Sequence, residues 1–397
     1  MKNKNVLMIA GEASGDLHGA SLIRELKKLD SSLKIFGIGG DKMQAEGMEL
    51  IYHIDKMAFL GFVEVIKHLP FIKKVQRDLI DEVKKRKIGE AVLIDYPGFN
   101  LSIAKKLKSL KHDYSAAKPE LKLEHDLELI YYITPQVWAW GKGRVKKIKE
   151  LFRKVLVVFP FEEKFFKEKN VNAEFVGHPL IQEISGYDFI SRNLLDNKFK
   201  LDPAKEILLI LPGSRKQEVK SIFPEAIKAS VKLADELDMQ IVVACSSNLD
   251  EREFYQLTDV KNFKVIKDHT YDLLKHAKFG IVKSGTSTLE AGLMELPMVI
   301  VYKTSLMSYI IGKSLVKIKN IGMANIVLDE QVVPELIQND ASADNIYDAA
   351  KNILSDDDLY DNVKRKLSGI KNVLGDKNAP QNAARIIYSI LNEHKAS

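Results

Sequence analysis

Short runs of β-branched and other apolar residues alternate along this chain with longer stretches of helical spacing, and that alternation restricts the fold more than any other feature. Residues 5–10 read as a buried strand and 15–29 as a helix, a βαβ opening. Further strands are expected at 34–37, 91–94, 129–134, 155–158 and 173–176, with helices in most of the gaps. Strands that are apolar throughout and separated by helices imply a mostly parallel sheet covered on both faces. The rhythm pauses at Gly177-His178-Pro179 and restarts at 207–211, followed by 240–244, 263–266, 279–282 and 298–301. The expected fold class is therefore α/β, two tandem Rossmann-like doubly wound domains at about 1–178 and 179–375, and 397 residues suit two or three domains of about 150. The polar stretch 112–126 reads as a surface excursion. After 341 the pattern is almost wholly helical. The last segment, 380–393, carries an apolar stripe of Ala383, Ile386, Ile387, Ile390 and Leu391 that has to dock on something.

With 46% hydrophobic and 29% charged residues, disorder, collagen and coiled coil are excluded as the main state. The one cysteine, Cys245, rules out an intramolecular disulfide and a multi-thiolate zinc site, and plain burial is expected for it. The longest stretch free of charge, 129–141, contains Pro135 and is shorter than the ~20 residues that span a bilayer. The apolar run 6–10 is shorter than a signal segment of about 7 to 15 residues, so a cytoplasmic location is expected. The basic excess lies entirely in residues 1–180. Nucleic acid, an anionic membrane, anionic substrates and a plain solvated face all remain open from that asymmetry.

Ligands of open α/β sheets bind beyond the carboxyl ends of the strands, which directs attention to three loops. The first, Gly11-Glu12-Ala13-Ser14-Gly15-Asp16, has the small residues and the following helix that bring backbone N–H groups close to an anion; a tight strand-to-helix turn needs the same residues. It is neither a Walker loop nor G-x-G-x-x-G, which counts against a dinucleotide oxidoreductase. The second, Leu211-Pro212-Gly213-Ser214-Arg215, places a guanidinium at a helix N-terminus, where it suits a leaving diphosphate. Ser214 with Gln217 also reads as a capping box. In the third, Lys283-Ser284-Gly285-Thr286-Ser287-Thr288-Leu289-Glu290, the Ser287 to Glu290 spacing leaves Glu290 between a capping role and hydrogen bonding to a ribose.

Asp95 follows the strand 91–94 and should project into an inter-domain cleft as a general base or, alternatively, bind loop amides. Trp138 and Trp140 are expected in core or cleft-wall packing, a stacking platform for a base being the other reading. The stretch 57–75 is more apolar than one buried helix face requires. Its Phe59, Phe62, Phe71 and Ile72, with Lys73 and Lys74, suit an amphipathic hairpin at a membrane interface, core packing being the other reading.

These loops, together with Met43-Gln44-Ala45-Glu46-Gly47, Gly61-Phe62-Val63-Glu64-Val65 and Pro135-Gln136-Val137-Trp138-Ala139-Trp140, resemble in order the lipid-A-disaccharide synthase family. That family consists of inverting glycosyltransferases of the two-domain GT-B fold, and the resemblance runs from the first strand to the final helix. It implies transfer of 2,3-diacylglucosamine from its UDP form to the 6-hydroxyl of 2,3-diacylglucosamine 1-phosphate in lipid A (lipopolysaccharide) biosynthesis. It also implies a final helix, 376–397, that crosses back to the first domain, and a protein peripheral on the inner face of the inner membrane with no nucleic-acid partner.

By the same resemblance Asp95 matches the proposed base; Glu12, in the first loop, is the next candidate should Asp95 not serve. Arg215, Ser284, Gly285, Thr286, Glu290 and Asn325 match the family's nucleotide side, and Ser14, Gly15, Gly213 and Ser214 of the glycine loops are expected to face the nucleotide sugar with them. Gly98 stands where the family commonly has an acidic residue. No Asp-x-Asp pair sits in a strand-end loop, so no metal or other cofactor is expected, and leaving-group charge would fall to Arg215 and helix N-termini. Other GT-B enzymes, a UDP-sugar 2-epimerase or an undecaprenyl-muramyl-peptide glycosyltransferase, remain alternatives, as does a non-catalytic sugar-nucleotide-binding module. A homo-oligomer is left open.

Overall fold

A computed structural model describes residues 4–57, 68–113, 127–139, 143–304 and 319–393, with backbone alone at 111–113. The chain divides into two compact units, 1–182 with 376–397, and 183–375.

In the first unit the strands are β1 (Asn5–Ala10), β2 (Lys34–Gly39), β3 (Glu49–His53), β4 (Glu90–Ile94), β5 (Glu128–Tyr132), β6 (Lys154–Val157) and β7 (Ala173–Phe175). They form one parallel sheet in the order β3-β2-β1-β4-β5-β6-β7. The intervening helices are α1 (Ala13–Leu29), α2 (Asp41–Ala45), α3 (Leu69–Arg86), α4 (Pro97–Asp113), α5 (Gly143–Leu151) and α6 (Pro160–Lys167). Val6 to Ala10 and Ala91 to Ile94 are buried completely, as strands covered by helices on both faces must be. β3 escapes the sequence pattern because it is an edge strand, half-buried and polar at both ends.

Helix α7 (Pro179–Ser185) spans the unit boundary, which falls inside it and not ahead of it. The second unit holds β8 (Glu206–Leu211), β9 (Met239–Cys245), β10 (Lys264–Lys267), β11 (Ala277–Lys283), β12 (Met298–Tyr302) and β13 (Glu335–Ile337), parallel in the order β10-β9-β8-β11-β12-β13. Its helices are α8 (Arg192–Phe199), α9 (Lys216–Leu237), α10 (Arg252–Gln256), α11 (Thr270–His276), α12 (Thr286–Leu293), α13 (Met323–Leu328), α14 (Ala343–Leu354) and α15 (Asp357–Leu374). The three-residue edge strand β13 also lacks a pattern long enough to read. Cys245 is buried at the end of β9, and burial pushes its thiol up to about 11.

Helix α3 corrects one expectation. Phe71 and Ile72 are half-buried and pack against the core, Phe71 edge-on to Tyr52 at 5.9 Å between ring centroids. They lie on the side of α3 that also buries Val75, Leu79 and Val83, which favours the core-packing reading for these two. Leu69, 42% exposed, and Pro70 are apolar residues that α3 leaves in solvent, and Lys73, Lys74 and Arg77 are exposed beside them. Phe59 and Phe62 lie outside the described residues. Among the described residues no helix is long and apolar enough to cross a membrane.

Helix α16 (Ala379–Glu393) packs on α1 within the first unit, burying Ala383, Ala384, Ile387 and Ile390. Small residues at 383 and 384 permit close helix approach. Gln182 fixes its entry, donating to the Lys377 carbonyl and accepting from the Ala379 N–H, each at 3.1 Å. Glu393 pairs with Arg153 at the far end. Ile387→Ala should therefore lower the stability of the first unit by about 2 to 5 kcal/mol, read as a shift of the urea unfolding midpoint.

Candidate functional site

In the first unit β1 lies between β2 and β4, so the chain leaves the sheet in opposite directions and the loops after β1 and β4 stand side by side at its switch point. Asp95 and Tyr96 follow β4 directly, both with φ +43°, a left-handed pair without glycine. Such backbone persists only where neighbours over-determine it. Here the Asp95 N–H donates to the Tyr132 carbonyl at 3.1 Å, and the Asp95 carbonyl accepts from Tyr131 Oη at 2.9 Å and Asn100 Nδ2 at 2.7 Å. Tyr96 donates from its hydroxyl to the Met57 carbonyl at 3.1 Å. Its ring lies against Gly11, where a Cβ would meet a ring carbon at 2.2 Å; only glycine fits there. Ile133, directly after the adjoining strand β5, also has a positive φ (+57°).

The Asp95 carboxyl is pushed up to about 6, first by burial and then by the Glu12 charge, against a backbone hydrogen bond from Tyr96 that favours the anion. Glu12 is exposed at the N-terminal cap of α1, its carbonyl accepting the Asp16 N–H at 2.9 Å. Asp16 of the same motif has a structural task. Its buried carboxylate accepts the N–H groups of Gly40 (2.7 Å), Lys42 (3.1 Å) and Met43 (3.0 Å), capping α2. Ser14 is exposed in the first turn of α1, while Gly15 is buried against Ala10, 3.2 Å from where its own Cβ would be. A Cβ on Gly98 would meet nothing within 4 Å, so an acidic residue would fit and nothing in the structure explains the glycine.

Beyond β5 and β6 an aromatic group is tied to a buried acid. Trp138 Nε1 donates to Glu162 Oε1 at 2.9 Å, and the Phe159 N–H donates to Glu162 Oε2 at 3.3 Å. Burial still lifts Glu162 to about 7. Phe161 meets Trp138 edge-on at 5.0 Å, and Phe159 stacks on Phe161 and lies 4.8 Å from His178. Burial lowers His178 to about 3, with His18 adding to it, and lowers His18 to about 4, with Lys42 adding, so both imidazoles are neutral near pH 7. Trp138 thus belongs to a packed wall. Trp140 lies outside the described residues. Glu162, His18 and His178 were not singled out from the sequence, because only the folded sheet brings their loops together.

The second unit repeats the arrangement at β8 and β11. Gly213 has φ +117° and Gly285 +153°. The Ser214–Gln217 capping box does not form: Arg215 is the N-cap of α9, and the Ser214 N–H donates instead to Glu218 Oε2 at 3.2 Å. Glu218 Oε1 pairs with Lys283 Nζ at 2.9 Å. The Arg215 side chain is exposed. Nor is Ser287 a cap, because α12 begins at Thr286 with Gly285 as its N-cap. Ser287 is hydrogen-bonded to Glu290, which also accepts from the Tyr271 hydroxyl at 3.4 Å; burial, and then the Glu183 charge, raise Glu290 to about 7.

Thr286 is exposed, whereas Ser284 is buried and donates to the Ile321 carbonyl at 2.8 Å. Asn325 is wholly buried and fully engaged. Its Nδ2 donates to the Val333 carbonyl (2.9 Å) and Glu335 Oε1 (2.8 Å), and its Oδ1 accepts from Val332 and Val333 N–H at 2.9 and 3.1 Å. Glu335 in turn accepts the N–H groups of Ile321 (2.7 Å) and Gly322 (3.0 Å), so Asn325 and Glu335 hold the 321–323 turn beside the Ser284 loop.

The Lipid-A-disaccharide synthetase family model matches residues 6–387. The chain belongs to this family. It is 36% identical over 389 residues to the lipid-A-disaccharide synthase of Geobacter sulfurreducens, covering 97% of each chain, and 35% identical over 397 residues to that of Coxiella burnetii, covering 98% of this chain and 100% of the relative. It is thus a glycosyltransferase of lipid A biosynthesis. Among solved structures it resembles a UDP-GlcNAc 2-epimerase from Neisseria meningitidis bound to UDP-GlcNAc (TM-score 0.63, 13% identity, 98% and 100% of the two chains) and the calicheamicin glycosyltransferase CalG4 (0.61, 15%, 100% of both). At those identities the likeness is one of GT-B fold.

Asp95 also links site to stability. Its carboxyl is raised in the folded chain above its ordinary value, so the fold favours the protonated form. The resulting penalty is absent below pH ~4, grows as pH rises to ~6 and is constant above. Asp95→Asn removes it. In urea unfolding the variant should be more stable than the parent at pH 8 by about 1 to 3 kcal/mol and should show no such advantage at pH 4.

Proposed function

We propose that the chain transfers 2,3-diacylglucosamine from UDP to the 6-hydroxyl of 2,3-diacylglucosamine 1-phosphate, giving the β(1→6) disaccharide 1-phosphate and UDP. The observation that carries this reading is Asp95: a carboxylate at the first switch point, held from behind through its backbone and raised to about 6, near the value that suits a base working at neutral pH. Its carboxylate takes the proton of the 6-hydroxyl as that oxygen attacks the anomeric carbon opposite the diphosphate. The C–O bond to UDP breaks, its electron pair leaves with UDP, and the configuration inverts. Glu12 keeps Asp95 basic through its charge and is the next candidate for the proton.

The donor half belongs to the second unit. Arg215 and the N-terminal N–H groups of α9 and α12, with Gly213, Ser214, Gly285 and Thr286, suit the diphosphate, and Glu290 suits the ribose. Ser284 and Asn325 act as positioning residues, since their polar groups are already committed to the 321–333 region. The charge on departing UDP is met by Arg215 and these amides without a metal. A 2-epimerase reading rests on fold likeness alone, and the 36% identical relatives favour the synthase.

Turnover of the two acylated substrates to UDP and disaccharide is the direct test. Activity should rise through pH ~6 and be untouched by EDTA, and Asp95→Asn should lower kcat by ~10² to 10⁴. Near-normal turnover in that variant would move the base elsewhere; strict magnesium dependence would overturn the metal-free scheme.

Both sugars carry acyl chains, so the enzyme works at an anionic membrane surface, the inner face of the inner membrane, as a peripheral protein. Lys73, Lys74 and Arg77 on α3, exposed beside Leu69, support that reading. Each cation near such a surface contributes about 1 kcal/mol. Replacing all three by Glu should abolish sedimentation with phosphatidylglycerol vesicles at low salt while leaving the thermal midpoint unchanged. Undiminished sedimentation would remove α3 as the contact.

A further inference from the structure

Glu218 folds back over the glycine loop that precedes its own helix. Its Oε2 accepts the Ser214 N–H, and a Cβ on Gly213 would lie only 2.5 Å from that oxygen, so the carboxylate covers the glycine of the β8 loop. Its other oxygen is held by Lys283, whose Nζ lies 3.6 Å from the position a Cβ on Gly285 would take. Lys283 is the last residue of β11, so the ion pair joins the glycine loops on both sides of the second switch point. Both side chains are largely shielded, 17% exposed at Glu218 and 20% at Lys283, which strengthens their pairing over that of a surface pair. A nucleoside diphosphate approaching these loops needs the same backbone N–H and the same ammonium, and it brings negative charge against a carboxylate already there.

We propose that Glu218 is a built-in anion placeholder and Lys283 a diphosphate-binding residue of the transfer reaction. In the unliganded chain the carboxylate satisfies the Ser214 N–H and the ammonium, keeping the cradle assembled and neutral. When the donor binds, its diphosphate displaces Glu218 from Lys283 and from Ser214, and Lys283 joins Arg215 in stabilising the leaving UDP. When UDP departs, Glu218 returns. The carboxylate therefore competes with product, lowering affinity for UDP and easing its release. This inference rests on the reading that the second unit binds a UDP-sugar.

The test is calorimetric titration of UDP into the full-length protein and its variants. Glu218→Gln keeps an acceptor for the Ser214 N–H but removes the competing charge, and it should tighten UDP about fivefold, with UDP inhibition of turnover strengthened in parallel. A merely structural Glu218 predicts the opposite sign. Lys283→Met should weaken UDP about tenfold and raise KM for the donor, Lys283→Arg should restore most of the loss, and Glu218→Gln should still tighten UDP in the Lys283→Met background, because the carboxylate keeps the Ser214 N–H covered there. Unchanged or weaker UDP binding in Glu218→Gln, or full affinity in Lys283→Met, overturns the proposal. Failure of the unsubstituted protein to bind UDP at all would instead remove the reading on which it rests.

Discussion

A parallel sheet that grows outward from its first strand, with β2 laid on one side and β4 on the other, has to part its crossovers at that strand, and here it does so twice. At β1/β4 and again at β8/β11 two loops are left standing together over the carboxyl edge, with no helix between them. Helices that start from such loops present unpaired N–H groups, and their dipoles favour negative charge. The chemistry of each unit follows from how the side chains around those loops are arranged. In the first, a tyrosine ring from one loop lies on the glycine of the other, packing Tyr96 against Gly11. In the second, the glycine loops are joined by charge, through Glu218 and Lys283.

The same positions concentrate carboxylates that burial makes reluctant to ionise. Asp95 has Glu12 as a neighbour and Glu290 has Glu183, and in both cases desolvation is the larger cause and like charge the smaller. A group driven upward in this way is a better proton acceptor near neutral pH than a solvated carboxylate, at a cost in stability that the surrounding core must absorb. Glu162 shows that the shift alone does not define a base. It is raised just as far, yet both its oxygens are occupied by the Trp138 indole and the Phe159 amide, and it serves to hold the aromatic wall.

Much of this was legible in the sequence because apolar runs such as Val6 to Ala10 and Ile207 to Leu211 have no other economical structure than a buried parallel strand. The loops that follow them carry the small residues, which is why Gly11, Gly213 and Gly285 stood out. What escaped notice depends on contacts between segments distant in sequence or on burial that pattern cannot report. The edge strands β3 and β13 are half-buried and too polar or too short to read. Phe71 and Ile72 look like surplus apolar residues until α3 is laid on the sheet, where they become part of its underside. Capping boxes at Ser214 and Ser287 satisfy the spacing rule, but the helices start elsewhere, with Arg215 as the N-cap of α9 and Gly285 as that of α12, and the Ser214 N–H goes to Glu218. Asn325 was expected to face a nucleotide; its four hydrogen bonds run instead to Val332, Val333 and Glu335.

Asp95 shows why the first site is built from behind. A left-handed aspartate followed by a left-handed tyrosine would relax in an isolated loop, since neither residue type favours that conformation as glycine does. Three hydrogen bonds to the Asp95 backbone, from Tyr131 and Asn100 to its carbonyl and from its N–H to Tyr132, oppose that relaxation without touching the carboxylate. The side chain can then gain or lose a proton while the backbone that aims it stays fixed. Tyr131 and Asn100 are themselves anchored in β5 and α4, so the direction of the carboxylate is set by the sheet and not by the loop. That dependence explains why a chemical group can stand on two strained residues: the backbone N–H and carbonyl of Asp95 are both held by residues of regular elements.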